Sequence, residues 1–182
     1  MSNYKEEIIE YFTKKDNFIS GYEIYQIFPE VKKAMVEQFW GRVKVFLEEL
    51  NVNSQWQINI SNDIFATYSN ISVRNNNNIW VAIEQLHSKA YYGIKIDFEN
   101  KKLNRDEINR YATKIKAIAD MKSTRWWLGW KYIGDDFNEI ESLKKILPEN
   151  RDNLAQEFAK FLFDFALEVK EDISIMSNML FD

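Results

Sequence analysis

Residues 91–98 read YYGIKIDF, and this stretch decides the fold class. Apolar side chains alternate along it with the polar Lys95 and Asp97. The apolar positions are Tyr92, Ile94, Ile96 and Phe98. Successive side chains of a β-strand point to opposite faces, so the pattern predicts a strand with one buried face. Such a strand needs neighbours, and the flanking sequence supplies them.

Four neighbouring segments have the same character. Three precede this strand: SQWQINI at 54–60, IFATYSNISVR at 64–74 and NIWVAIEQL at 78–86. Four asparagines at 75–78 separate the second from the third, and asparagine favours tight turns, so they predict a hairpin. The segment TRWWLGWKYIGDD at 124–136 predicts the strand that follows. Short connections between strands favour a mainly antiparallel sheet.

Helical patterns lie on both sides of the sheet segments. At the N-terminus they predict a helix from Ser2 to Thr13, a short one over 22–28 that ends at Pro29, and a longer one from Glu30 to about residue 50. Asn104 is expected to cap a helix that runs to Asp120. Further helices are predicted from 138 and from 150 to at least 169.

The resulting expectation is an α+β domain. It has a mainly antiparallel sheet of about five strands packed with helices, a helical N-terminus and a long C-terminal helix. We expect one domain over 1–182: a helical part at 1–50, a sheet with one inserted helix at 54–133, and helices at 138–180.

Composition excludes several kinds of chemistry. The chain has no cysteine and one histidine, His87, so thiolate sites and histidine metal clusters cannot form. No continuous apolar stretch is long enough to span a membrane, which needs roughly 20 residues. We therefore expect a cytoplasmic protein without a membrane contact and without a cofactor, and the oligomeric state stays open.

The composition does not exclude metal binding by carboxylates. The order of helix, strands, helix and strand resembles the core of PD-(D/E)XK nucleases, in which an aspartate and an acid-x-lysine pair hold the metal. Asp97, Glu99 and Lys101 match that pattern, and Asp63 or Glu84 could supply a second acid. This alternative implies a Mg²⁺-dependent nuclease.

A second resemblance covers about residues 79–137. YYGIKIDFENKKL, a helix and TRWWLGWKYIGDDFN are together similar to the C-terminal region that follows the nuclease core in some PD-(D/E)XK-type bacterial and phage proteins. The shared motif is aromatic and structural. The resemblance implies an accessory or interaction module from a nuclease-related context, with the catalytic part absent here.

Charge is segregated along the chain. Residues 101–134 hold nine Lys and Arg against three Asp and Glu, whereas 135–182 hold five against twelve. An acidic surface can occupy the phosphate site of a nucleic-acid-processing protein. Our first hypothesis is therefore a non-catalytic inhibitor of a nuclease or nucleoprotein complex, such as a phage anti-defence (anti-CRISPR-like) protein. Its acidic binding residues are Asp135, Asp136, Glu139 and Glu141.

Direct nucleic-acid binding is the third alternative. Its cations are Arg105, Arg110, Lys114, Lys116 and Lys122. A strict period of two through 124–136 puts Trp126, Leu128, Trp130 and Tyr132 on a buried face. Trp127 and Lys131 then lie on the other face, with Arg125 at the strand entrance. These three residues, together with the four acidic residues, are the predicted binding residues of the first hypothesis.

Overall fold

The computed structural model describes residues 2–53, 56–75, 78–97 and 104–179. Its six α-helices are α1 (Ser2–Phe12), α2 (Lys15–Leu50), α3 (Arg105–Ala112), α4 (Ile140–Lys145), α5 (Pro148–Glu168) and α6 (Lys170–Asn178). Its five strands are β1 (Gln57–Ile60), β2 (Asn70–Arg74), β3 (Ile79–Glu84), β4 (Lys89–Ile96) and β5 (Trp127–Asp136). The strands form one antiparallel sheet in the order β1-β2-β3-β4-β5, which confirms the predicted α+β class.

Contacts divide the chain into two compact units, Met1–Met35 and Val36–Asp182. In the first unit, α1 folds back on the start of α2, and a Cβ atom on Gly21 would lie 2.6 Å from the ring of Phe12. The side chain of Asn17 donates a hydrogen bond of 2.9 Å to the carbonyl of Tyr11. Many large apolar side chains of this unit are exposed, among them Tyr4, Phe18, Ile24 and Tyr25. The single-domain interpretation stays a prediction.

Pro29 does not end a helix. It lies inside α2, which runs without interruption from Lys15 to Leu50, so the predicted boundaries at 22, 28 and 30 are wrong. Proline removes one backbone donor and crowds the preceding turn, which costs roughly 3 kcal/mol. Glu30, Lys32 and Lys33, which follow Pro29, are good helix-forming residues and partly offset this local penalty.

The second unit buries one face of the sheet under helices. Helices α5 and α6 contact β3, and the ring of Tyr92 on β4 packs against Phe161 and Phe165 of α5. From Val36 onward α2 joins this layer, because Phe39 and Trp40 pack against Phe158 and Phe137. We call this side of the sheet the covered face.

A hydrogen bond ties α2 to the turn between β3 and β4. Trp40 is completely buried, and its indole Nε1 donates to the carbonyl oxygen of Leu86 at 2.7 Å. A buried indole N–H needs such a partner, because an unpaired donor costs about 1–3 kcal/mol. This bond therefore fixes the position of the β3–β4 turn against the helical layer.

Three other predicted boundaries are wrong for local reasons. The strand expected over 64–74 covers only β2, because Asp63 accepts a hydrogen bond from the N–H of Phe65 and turns the chain. Asn104 caps α3 as expected, but the helix ends at Ala112, where Thr113 donates to the carbonyl of Arg110. The C-terminal helix breaks at Val169 into α5 and α6. Over the described ranges, every helix is too short or too polar to cross a lipid bilayer.

Candidate functional site

The opposite side of the sheet carries a pocket of about 670 Å³, which we call the aromatic pocket. It lies over β3, β4 and the first part of β5, and the segment 124–126 closes one side of it. Seven aromatic side chains line it: Tyr68, Trp80, Tyr91, Trp126, Trp127, Trp130 and Tyr132. Glu84, Lys95 and Asp97 also contribute to the lining.

The register between β3 and β4 assembles the floor of the pocket. Trp80 lies opposite Lys95, Ala82 opposite Gly93, and Glu84 opposite Tyr91. Because strand side chains alternate, these residues share one face, whereas Val81 and Ile83 point into the covered face. A strand in which all six residues are buried thus presents a different chemistry on each side.

A β-bulge adds the tryptophans of β5 to this face. Gly93 pairs with Trp130 and Ile94 with Gly129, but Lys95 pairs with Trp127, so Leu128 is an extra residue on β5. The bulge puts Trp127 on the same side as Trp130 and Tyr132. The ring of Tyr91 lies 5.3 Å from that of Trp127 and 5.2 Å from that of Trp130.

Gly93 allows the two strands to approach closely at this point. A Cβ atom at Gly93 would lie 1.9 Å from the carbonyl oxygen of Gly129 and 2.8 Å from the Cα of Trp130. Both neighbouring atoms belong to the backbone and cannot move aside independently of the strand. Any side chain at position 93 would therefore push β5 away from β4 and open the wall of the pocket.

A buried ion pair lies in the pocket. The side chain of Glu84 is only 3% exposed, and its carboxylate accepts hydrogen bonds from the hydroxyl of Tyr91 and the ammonium of Lys95. Burial, and then the hydrogen bond to Glu84, raises the pKa of Tyr91 far above its usual value. Tyr91 therefore stays protonated and remains a hydrogen-bond donor over the physiological pH range.

Cations surround the aromatic rings. In each of five pairs, a guanidinium or ammonium group lies over a ring of the pocket, within cation–π range. The distances to the ring centroid are 4.0 Å for Arg74 and Trp80, 4.5 Å for Lys89 and Tyr132, 5.4 Å for Lys95 and Trp127, 5.4 Å for Lys122 and Trp130, and 4.8 Å for Arg125 and Trp126. Burial lowers the pKa of Arg74, and the charge of Asp97 partly opposes this shift.

Two indole donors of the pocket are left without a partner. Within the described part of the chain, the buried Nε1 atoms of Trp80 and Trp130 make no hydrogen bond. Native proteins pair most buried polar groups, so each such exception needs an explanation. Both donors belong to side chains that line the pocket.

The structure separates the binding residues predicted on β5. Arg125 lies at the pocket beside Trp126. Trp127 also lines the pocket on the same face as Trp130, although it is only 4% exposed, so the strict alternation predicted through 124–136 is wrong. Trp130 and Tyr132, expected in the core, line the pocket instead, and Tyr132 is 42% exposed. Lys131 pairs with Tyr92 and does not line the pocket.

The acidic binding residues are largely engaged within the chain. Asp135 is buried and binds the ammonium of Lys145 at 2.6 Å and the hydroxyl of Ser142 at 3.3 Å. Glu141 forms an ion pair of 3.0 Å with Lys144. Asp136 accepts a hydrogen bond from the N–H of Asn138, and Glu139 is exposed just before α4.

The predicted nucleic-acid cations fall into two groups. Lys122 lies over Trp130, and Arg105 donates to the carbonyl of Thr124, which lines the pocket. Arg110, Lys114 and Lys116 are exposed on α3 and the turns after it, and they do not line the pocket. Only the first group therefore contributes to the pocket and its supporting segment.

The nuclease alternative is only partly described. Asp97 directly follows β4 and lines the pocket, whereas Glu99 and Lys101 lie outside the described residues. Within the described ranges, no three acidic or histidine side chains come together as metal ligands. His87, the single histidine, has its Nδ1 atom 3.2 Å from the carbonyl oxygen of Ile64.

Trp80, Tyr91 and Lys95 were not predicted as site residues from the sequence, and Glu84 was predicted only as a metal-binding acid. The available signal was a charged residue, Glu84, at the end of the apolar strand IWVAIE. A charge in such a strand requires a partner across the hairpin. Finding that partner needs the strand register, which composition alone does not give.

Comparisons of this chain with protein-family models, with curated proteins and with solved structures return no match. The resemblance to an accessory region of PD-(D/E)XK-type proteins therefore stays a prediction. The functional argument rests on the geometry of the pocket itself.

Proposed function

We propose that this protein binds single-stranded nucleic acid in the aromatic pocket. The observation that carries the proposal is the combination of seven aromatic side chains in one pocket with five cations, each over one of these rings. Proteins that bind single strands stack bases on aromatic rings and hold the phosphates with Lys and Arg. The volume of about 670 Å³ lies within the range of sites that hold small ligands, so it accommodates a nucleotide.

Local charge favours a polyanion although the chain as a whole carries a formal charge of −4. Arg74, Lys89, Lys95, Lys122 and Arg125 lie at the pocket. Its described acids are Glu84, which is paired with Lys95, and Asp97. The numerous acids of α5 and α6 belong to the helical layer on the covered face. A phosphate near the pocket therefore meets mainly positive charge.

Single strands fit this pocket better than a duplex. The rings of Tyr91, Trp127 and Trp130 line a concave site, and bases within a duplex are stacked on each other. A base must leave its stack before it can enter such a site, and unstacking costs a few kcal/mol. Single-stranded substrate avoids most of that cost.

The inhibitor hypothesis rests on a different surface. Of its four acidic residues, Asp135 is paired with Lys145 and Glu141 with Lys144. Those contacts reduce the negative charge that a basic partner would meet. The pocket supports nucleic-acid binding more directly, and a nuclease or nucleoprotein partner stays a prediction.

Tryptophan fluorescence tests the proposal, because four of the lining residues are tryptophans. The protein is titrated with an oligothymidylate of ~10 nucleotides, a length within the range covered by known single-strand sites. We expect quenching that saturates, and an affinity that falls with salt by a log–log slope of about −0.7 for each phosphate contacted. A dA·dT hairpin duplex with a similar number of phosphates should bind more weakly.

The matched control compares two lysines that differ in position. Lys122→Ala removes a cation at the pocket, and Lys160→Ala removes an exposed one from α5 on the covered face. Both variants change the net charge equally. Weaker binding and a shallower salt slope are expected for Lys122→Ala alone. Equal effects of the two variants would point to non-specific attraction, and absence of saturable quenching would refute the proposal.

A further inference from the structure

We infer that the aromatic pocket selects guanine among the nucleobases, by means of Glu84 and Lys95. This inference rests on the proposed function and adds the identity of the bound base. Glu84 is a carboxylate buried to 3% exposure that nonetheless lines a pocket. Burying a charge is unfavourable, and an apolar residue would pack a strand interior at least as well. A recognition role explains why an ion pair occupies this position.

The donors and acceptors at the floor define the complementary ligand. A carboxylate only accepts hydrogen bonds, and its two oxygens offer about four lone-pair sites. One site on each oxygen of Glu84 is used, by Tyr91 and by Lys95. The remaining sites can accept two N–H groups from a ligand. The ammonium of Lys95 has three donors, of which one is used by Glu84, and so can donate to a neighbouring ligand oxygen.

Guanine alone matches this arrangement. Its Watson–Crick edge presents two adjacent donors, N1–H and the 2-amino group, followed by the O6 acceptor. Adenine, cytosine and thymine each present a single donor group on that edge. A carboxylate can therefore make a bidentate contact only with guanine, while Lys95 lies beside it as a donor for O6.

The surrounding charge excludes the other common occupant of an aromatic cage. Cages of this type also bind quaternary ammonium groups through cation–π contacts. Here the rings already carry their own cations, with Arg74 over Trp80 and Lys95 over Trp127. A further cation would be repelled by these groups. A neutral base attached to phosphate, in contrast, benefits from both the rings and the charges.

Guanine selection can be tested by changing the ligand and not the protein, so the result does not depend on whether a variant folds. Oligothymidylates of eight residues that carry one central dG, dA, dC or deoxyinosine are titrated against the full chain. Deoxyinosine lacks only the 2-amino group of guanine. We expect dG to bind about tenfold more tightly than the all-thymidine strand, and deoxyinosine to lose most of that gain, because one good bidentate base contact has about this discrimination.

The outcomes separate the inference from the proposed function. Equal saturable binding of all strands, a preference for another base, or equal affinity for dG and deoxyinosine would overturn guanine selection and leave single-strand binding intact. Absence of binding to every strand would refute both. In a second test, Glu84→Gln should reduce the ratio of dG affinity to all-thymidine affinity to under about threefold, whatever its effect on the all-thymidine affinity. An unchanged preference in a folded Glu84→Gln protein would overturn the role of Glu84.

Discussion

The two faces of the sheet are built from the same strands but differ in composition. On the covered face, fully buried aliphatic residues such as Ile71, Ile83 and Ile94 pack under the helices. On the other face, Trp80, Tyr91 and Trp130 line a pocket that also contains an ion pair. Adjacent residues of one strand, such as Ile83 and Glu84, thus belong to two different environments.

This difference shows which features of the second face exceed the needs of folding. Apolar side chains under helices are sufficient to bury a sheet face, and the covered face consists largely of aliphatic and aromatic side chains packed in this way. The pocket instead keeps a buried ion pair, half-exposed rings and, among the described residues, two indole donors without partners. Buried ion pairs and unpaired buried donors contribute less to stability than apolar packing does. The comparison therefore supports the proposal that binding takes place on the second face.

Gly93→Ala should have the largest effect, because it acts on the backbone at the pocket wall. The new Cβ would lie 1.9 Å from the carbonyl oxygen of Gly129, so β5 must move away from β4. We expect a loss of about 3 kcal/mol in the free energy of unfolding, the upper range for overpacking, together with loss of nucleic-acid binding. Urea denaturation and fluorescence titration measure the two effects.

Gly41→Ala is the matched control. Gly41 lies in α2, and no atom lies within 4 Å of the position of its added Cβ. Alanine favours a helix over glycine by up to about 1 kcal/mol, so this variant should be equally stable or more stable and bind normally. A Gly93→Ala protein that is as stable as Gly41→Ala would contradict the close strand approach.

The sequence analysis predicted the fold well because strand and helix periods are local properties. The alternation in 91–98 identified β4, and the asparagines at 75–78 correctly indicated a hairpin, since β2 and β3 pair antiparallel. Asn104 was correctly identified as a cap. The helix end predicted at Pro29 was wrong, because it was based on the low helix propensity of proline alone and not on the long helix that surrounds this residue.

The pocket was harder to predict because it depends on register. Pairing of Trp80 with Lys95 and Glu84 with Tyr91 is set by the turn between β3 and β4, whose geometry the sequence does not encode simply. The bulge at Leu128 then shifts the alternation of β5 by one residue. That single shift puts Trp127 on the same face as Trp130 and Tyr132, whereas strict alternation predicts opposite faces. The aromatic residues were recognised as important, but their partners were not.

Trp126→Ala should separate binding from stability. Trp126 lines the pocket at its margin, is half-buried and lies under Arg125. Stacking of one base on an aromatic ring contributes about 1–3 kcal/mol, so we expect the affinity for single strands to fall at least about fivefold. The melting temperature should fall by only a few degrees. Phe161→Ala is the control, since Phe161 is 39% exposed on the covered face, and its removal should leave binding unchanged. Equal loss of affinity in both variants would contradict the assignment of nucleic-acid binding to the aromatic pocket.

Tyr91→Phe should have the smallest effect, and it appears only at alkaline pH. Burial and the hydrogen bond to Glu84 raise the pKa of Tyr91 in the folded protein above its ordinary value of 10.0. The folded state therefore holds this proton more tightly than the unfolded chain does. The stability gained from this difference is fully present below about pH 10 and is lost as the pH rises further, because the unfolded chain then releases the proton first.

Urea denaturation of both proteins at about pH 8 and about pH 11 measures the change. The wild type should lose more stability than Tyr91→Phe over this interval, whereas replacement of the exposed Tyr25 by phenylalanine should leave the pH dependence of the wild type unchanged. If wild type and Tyr91→Phe lose the same free energy of unfolding between these two pH values, the hydroxyl of Tyr91 is not held by Glu84 in the folded protein.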